Sequence, residues 1–151
     1  MPNSSNQETS RILIVDDNPQ NVELLEAYLS ELPCEISTAT DGQEALEQIA
    51  QTVPDLVLLD IMMPKLSGFE VCRAVKNDEK TAHVMILMVT ALNELGDIER
   101  AVQAGCDDFL SKPVHRLELL KRVENMLKLR DVSDQLQRLR DYIDKMEERD
   151  S

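Results

Sequence analysis

The 151-residue chain carries 29 acidic and 16 basic side chains, a formal net charge of −13. That balance argues against a non-specific grip on nucleic acid or anionic lipid, both of which need an excess of Lys and Arg, and it suits cations or basic partner surfaces. The length allows one domain with a real core plus an appendage.

The three cysteines, Cys34, Cys72 and Cys106, form no CxxC pair. They give neither zinc spacing nor a disulfide framework, and they read as small core-packing thiols in a reducing cytosol. The opening MPNSSNQETS has no apolar signal core. The longest apolar stretch, VMILMV at 84–89, is far short of the ~20 residues of a membrane helix. The expectation is a cytoplasmic protein without membrane contact.

Residues 1–10 read as a disordered lead. RILIV (11–15) is a short strand ending in Asp16-Asp17. Asn18 then caps a helix with Pro19 in its first position, where a missing N–H costs nothing. Leu24, Leu25, Tyr28, Leu29 and Leu32 recur at helical spacing, and Pro33 is expected to stop the helix. CEISTA is the second strand. Thr40-Asp41-Gly42 opens a helix with Ala45, Leu46 and Ile49 inward, closed by Pro54.

DLVLLD (55–60) is continuously apolar, as a strand covered on both faces should be, and it too ends in an acid, Asp60. After the IMMPKLSG loop, residues 69–76 form a helix with Phe69, Val71, Cys72 and Val75 inward. VMILMVT (84–90) is another buried strand. Residues 93–104 form a helix stopped by Gly105, DDFLS (107–111) a last short strand, and Lys112-Pro113 precedes a long final helix.

Five strand-then-helix repeats imply a parallel sheet with helices on both faces and right-handed crossovers. In such sheets the ligand crevice lies beyond the carboxyl ends of the strands. Asp16-Asp17, Asp60, Thr90 and Lys112 all fall at that one edge, although about 95 residues separate the first from the last. Two adjacent carboxylates at the end of a buried strand repel each other. Either they are solvated helix-start residues, or a positive group sits between them.

The set resembles the receiver domain of two-component response regulators. The matching features are Asp16-Asp17, Asp60 in LLDIMMPKLSG, Thr90-Ala91 in VTA, Phe109, and Lys112-Pro113, within residues 11–130. The resemblance implies a doubly wound, flavodoxin-like sheet of order 2-1-3-4-5. It implies that Asp60 accepts a phosphoryl group from a phosphohistidine on a sensor histidine kinase or phosphotransfer protein. It implies Mg²⁺ held by Asp17, Asp60 and the Met62 carbonyl, with Asp16 acting through a bound water. Lys112 would reach the carboxylate and then a phosphoryl oxygen, across a cis Lys112–Pro113 peptide. Thr90 would donate its hydroxyl to the phosphoryl group, and Phe109 would be the switch aromatic, working by packing because it lacks a hydroxyl. Met62 and Leu92 occupy the two positions that set phosphate lifetime in the family. Neither can orient a water, so self-dephosphorylation should be slow.

Beyond residue 130, Leu129, Val132, Leu136, Leu139, Ile143 and Met146 alternate three- and four-residue steps, the seam of a coiled coil over about two and a half heptads. The 131–151 extension is expected to be a signalling helix that pairs with a second copy or leads to an output domain. The alternatives are a helix packed back on its own domain and a disordered tail. Two rival functions are a dimerisation module with a degenerate receiver and a haloacid-dehalogenase-like phosphatase. The phosphatase requires a second Asp two residues after its nucleophile, where this chain has Met62.

Overall fold

Each apolar run becomes a strand, and each strand is followed by a helix. The computed structural model describes residues 9–91 and 95–150, so the expectation for Leu92 and most of that for the 1–10 lead lie outside the described residues. In chain order the elements are β1 (Ser10–Val15), α1 (Pro19–Leu29), β2 (Cys34–Ala39), α2 (Gly42–Gln51) and β3 (Leu56–Leu59). They continue with α3 (Gly68–Asn77), β4 (Met85–Thr90), α4 (Leu95–Ala104), β5 (Asp108–Ser111) and α5 (Arg116–Asp150). The five strands are parallel in the order β2-β1-β3-β4-β5, as the resemblance implied.

Strand parity divides the core in two. Leu13, Val15, Val57, Leu59, Ile86 and Met88 face one side and pack against Ala45, Ile49, Val71, Cys72, Val75, Ala101 and Ala104 of α2, α3 and α4. Ile12, Ile14, Leu56, Leu58, Leu87 and Val89 face the other, against Leu25 and Leu29 of α1 and Leu119, Val123 and Met126 of α5. Because β3 is covered on both faces, it has no polar position to spare before Asp60. Burial pushes the Cys72 thiol up to about 12, in keeping with a packing role, whereas Cys34 and Cys106 are only partly buried.

The helix starts follow local chemistry. The Asn18 side chain accepts from the Gln20 N–H with Pro19 in the first turn, and Asp41 accepts from the Glu44 N–H. Ser67 and Glu70 form a reciprocal capping box at the start of α3. Two expected stops fall late: α1 ends at Leu29, with Ser30 as its cap, and α2 ends at Gln51. In each case a capping N–H already closes the helix, on the Glu26 and Gln48 carbonyls respectively, before the chain reaches Pro33 or Pro54. Gly105 has φ +95, the left-handed position expected after α4.

Helix α5 runs unbroken for 35 residues, roughly 50 Å at 1.5 Å per residue. Its last buried residue is Met126, with Leu127 at the margin of the core. Beyond that point its apolar side chains are about half exposed. Among the described residues no helix is long and apolar enough to cross a membrane.

Gly68 fixes how α3 meets the sheet. A β-carbon there would lie 2.4 Å from the Asp60 carbonyl oxygen and 2.7 Å from the Ile61 Cα, both backbone atoms that cannot swing away. The Gly68 N–H in turn donates to the Ile61 carbonyl at 2.9 Å. Gly68→Ala is therefore expected to lower the unfolding free energy by about 1–3 kcal/mol, read as a lower urea midpoint at unchanged slope.

Candidate functional site

The carboxyl ends of the central strands are tied together by backbone. The Asp60 N–H donates to the Val15 carbonyl at 3.0 Å, the Asp16 N–H to the Ala39 carbonyl at 3.2 Å, and the Lys112 N–H to the Thr90 carbonyl at 2.8 Å. These ladder extensions bring the five polar residues singled out in the sequence to one edge. Asp16 (2 % exposed), Asp60 (7 %) and Thr90 (1 %) are buried, and Asp17 is exposed.

Asp16, Asp17 and Asp60 each offer a carboxylate oxygen, and these oxygens all lie within 4.8 Å of one another. Lys112 Nζ stands 3.1 Å from Asp16 Oδ2 and 3.6 Å from Asp60 Oδ2, so it sits closer to Asp16 than the sequence reading anticipated. The Asn18 N–H also donates to Asp16 Oδ1 at 2.9 Å, and the Met62 N–H reaches Asp60 Oδ1 at 3.4 Å. The cap of α1 is Asn18, which removes capping as the reason for Asp17. The Lys112–Pro113 peptide is cis.

Three carboxylates against one ammonium leave the cluster short of positive charge. Burial raises the Asp60 pKa above its ordinary value and the neighbouring Asp16 charge adds to this, while Lys112 pulls the other way without reversing the direction. An all-oxygen, partly open acidic cluster of this kind suits Mg²⁺, which takes one or two carboxylates and keeps several waters. A bound divalent ion would relieve the repulsion that the cluster otherwise holds.

Phe109 is half-buried against the α2–α3–α4 side of the core, and its strand neighbour is Met88. Thr90 shares the parity of Ile86 and Met88, which places it toward that same side. Met62 is largely exposed beside the acidic cluster. Ala91 and Pro113, with Leu24, Leu25, Asn21 and Val114, line an apolar crevice of about 450 Å³ next to Lys112, which explains why Leu24 is half exposed instead of sitting in the core.

Three contacts within the domain have no counterpart in the sequence analysis. Lys65, in the loop after Asp60, has φ +71 and pairs with Asp41 at 3.4 Å. The Arg100 guanidinium lies 4.2 Å from the Phe69 ring centroid, joining α4 to α3. Arg122 grips both oxygens of Asp108, at 2.7 and 2.8 Å. Each depends on how elements lie in space and has no signature in residue spacing.

The family model for the response regulator receiver domain matches residues 12–124. The chain belongs to that family. This receiver is 44% identical over 128 residues to the response regulator PleD of Caulobacter vibrioides, a match covering 85% of the chain and 28% of PleD. It is 39% identical to RpaA of Synechocystis, a DNA-binding transcriptional regulator, over 80% of the chain and 50% of RpaA. The chain thus spans between about a quarter and a half of these relatives. Among solved structures, the receiver of sensor histidine kinase PA1611 from Pseudomonas aeruginosa superposes with a TM-score of 0.74 at 32% identity. That match covers 80% of this chain and 99% of that one, and that receiver holds a magnesium ion in its active-site cleft. The chemotaxis protein CheY4 of Vibrio cholerae gives a TM-score of 0.74 at 28% identity, over 79% of this chain and 99% of that one. The receiver is a phosphorylation-operated switch of two-component signalling, and neither the phosphatase nor the degenerate-module reading is favoured.

The raised Asp60 pKa sets a pH dependence. Its folded value lies above the unfolded one, so its support for the fold is fully present below the unfolded value and is lost as pH rises through the folded value. At neutral pH, without a divalent cation, the ionised Asp60 is a net cost. Asp60→Asn should then raise the melting temperature in EDTA at pH 7, and the advantage should shrink as pH is lowered through the folded pKa. A lower melting temperature for the variant at pH 7 would contradict the burial argument.

Proposed function

We propose that Asp60 is the phosphoacceptor and that the phosphoryl donor is a phosphohistidine on a sensor histidine kinase or a histidine phosphotransfer protein. The observation that carries this reading is the Lys112 ammonium lying within 3.6 Å of a buried carboxylate that shares a 4.8 Å cluster with two others. An Asp60 carboxylate oxygen attacks phosphorus, an O–P bond forms as the N–P bond of the donor breaks, and the electron pair stays on the imidazole nitrogen. Lys112 moves from carboxylate to phosphoryl oxygen as negative charge arrives, and Thr90 donates its hydroxyl from the next strand end.

Asp17, Asp60 and the Met62 carbonyl would hold Mg²⁺, with Asp16 acting through water. The ion supplies charge neutralisation at the phosphoryl oxygens. Met62 gives no group to align an attacking water, and Leu92 is likewise apolar. The chain therefore catalyses only its own phosphorylation and a slow loss of the phosphoryl group, over minutes to hours. The signal leaves by the Thr90–Phe109 side and by α5, which we read as joining a second copy of the chain. The receiver itself makes no contact with nucleic acid or membrane, in keeping with the chain's net charge of −13, and it works in the cytoplasm.

Acetyl phosphate with Mg²⁺ should add the mass of one phosphoryl group to the intact chain, as read by mass spectrometry. Asp60→Asn should abolish the gain and Lys112→Ala should reduce it by at least tenfold. A full mass gain in Asp60→Asn would place the acceptor elsewhere.

A further inference from the structure

The tail of α5 presents an apolar stripe that none of the described residues covers. Leu129, Val132, Leu136, Leu139, Ile143 and Met146 are 45–61 % exposed and follow the three-four spacing of a coiled-coil seam. The helix's own polar pairs lie on the opposite face. Arg138 and Arg130 both pair with Asp134, and Gln137 donates to Asp141. With Leu129 at a, these five residues fall at the outward b, c and f positions. The flanking e and g positions hold Ser133, Gln135, Arg140, Tyr142 and Glu147. In an in-register pair Gln135 meets Arg140 and Tyr142 meets Glu147, so no like charges are opposed.

A lone helical projection of some 24 residues, marginal in water by itself, gains most from a partner that buries this stripe. A second copy brings the same stripe. Together the two seams bury roughly 1,000 Å², the lower bound of a specific interface.

Where the stripe lies determines what pairing can depend on. Arg130 and Asp131, at the root of the tail, line a cavity of about 470 Å³ with Thr9, Ser10, Arg11 and Asp55. Those residues sit where β1 and β3 begin, at the edge of the sheet opposite the acidic cluster. The tail therefore leaves the domain at the far end from Asp60, and both acidic edges stay open when two tails pair.

We propose that the chain is a constitutive homodimer held by its Leu129–Met146 seam, with or without a phosphoryl group on Asp60. The inference rests on the reading that α5 joins a second copy, and it adds that this joining is not the switched event. Phosphorylation then acts on a pre-formed pair instead of creating it.

Sedimentation equilibrium on the full chain tests this at micromolar concentration, alone and with Mg²⁺ plus beryllium fluoride. The expected mass is twice the 17.1 kDa of one chain in both conditions. The Leu136→Asp/Leu139→Asp variant should sediment as a monomer with an undiminished mass gain from acetyl phosphate, which reports a folded receiver. A wild-type monomer in both conditions would overturn the pairing altogether. A dimer that forms only with beryllium fluoride would keep the pairing and overturn its constitutive character. A dimer that survives the double substitution would overturn the seam.

Discussion

The contact on which the rest of the site depends is the Lys112 ammonium set among buried carboxylates. Asp16 and Asp60 end neighbouring strands with almost no exposure to water, a costly position for two like charges. One lysine, placed there by the last strand and the turn after it, lies within 3.1 Å of one and 3.6 Å of the other. The raised pKa of Asp60 shows that this compensation is incomplete. Burial is the largest cause of that shift, and three carboxylates against one ammonium give the cluster a charge balance that a divalent ion suits.

The sheet makes such a cluster affordable. β3 is apolar throughout and packed on both faces, so Asp60 is delivered to its position by a rigid element and not by a loop. Gly68 lets the start of α3 come against the carbonyl of Asp60 itself. The loop after the acid is thus pinned at both ends, by the strand and by the capped helix. On the other side of the domain the same fold makes α5 serve two ends. Its first turns seal the core beneath β1, β3 and β4, and its later turns stand clear of the domain at the opposite edge from the chemistry.

Much of this was legible in the residues. Strand and helix boundaries followed from period and caps: CEISTA matched β2 residue for residue, and Asn18-Pro19 and Asp41-Gly42 marked two helix starts correctly. The convergence of Asp16, Asp17, Asp60, Thr90 and Lys112 followed from the parallel rule that strand ends share one edge. The misreadings share one cause. Pro33 and Pro54 predict stops because proline forbids helix, yet α1 and α2 close earlier on local capping bonds that composition does not show. Leu24 shares the helical spacing of Leu25 and Leu29, yet period gives a face but not its depth, and the crevice beside Pro113 is a property of two elements meeting. The Lys65–Asp41, Arg100–Phe69 and Arg122–Asp108 contacts are likewise tertiary, joining residues with no shared pattern.

The central claim is that three carboxylates from two strand ends act as one cation site, and metal binding tests it most directly. Mn²⁺, used as a paramagnetic substitute for Mg²⁺ and followed by electron paramagnetic resonance of the free ion, should bind at one ion per chain. Asp17→Asn and Asp60→Asn should each weaken that binding by at least tenfold, and added Mg²⁺ should displace the ion. Binding that is absent in the native chain, or unaltered in both variants, would contradict the account.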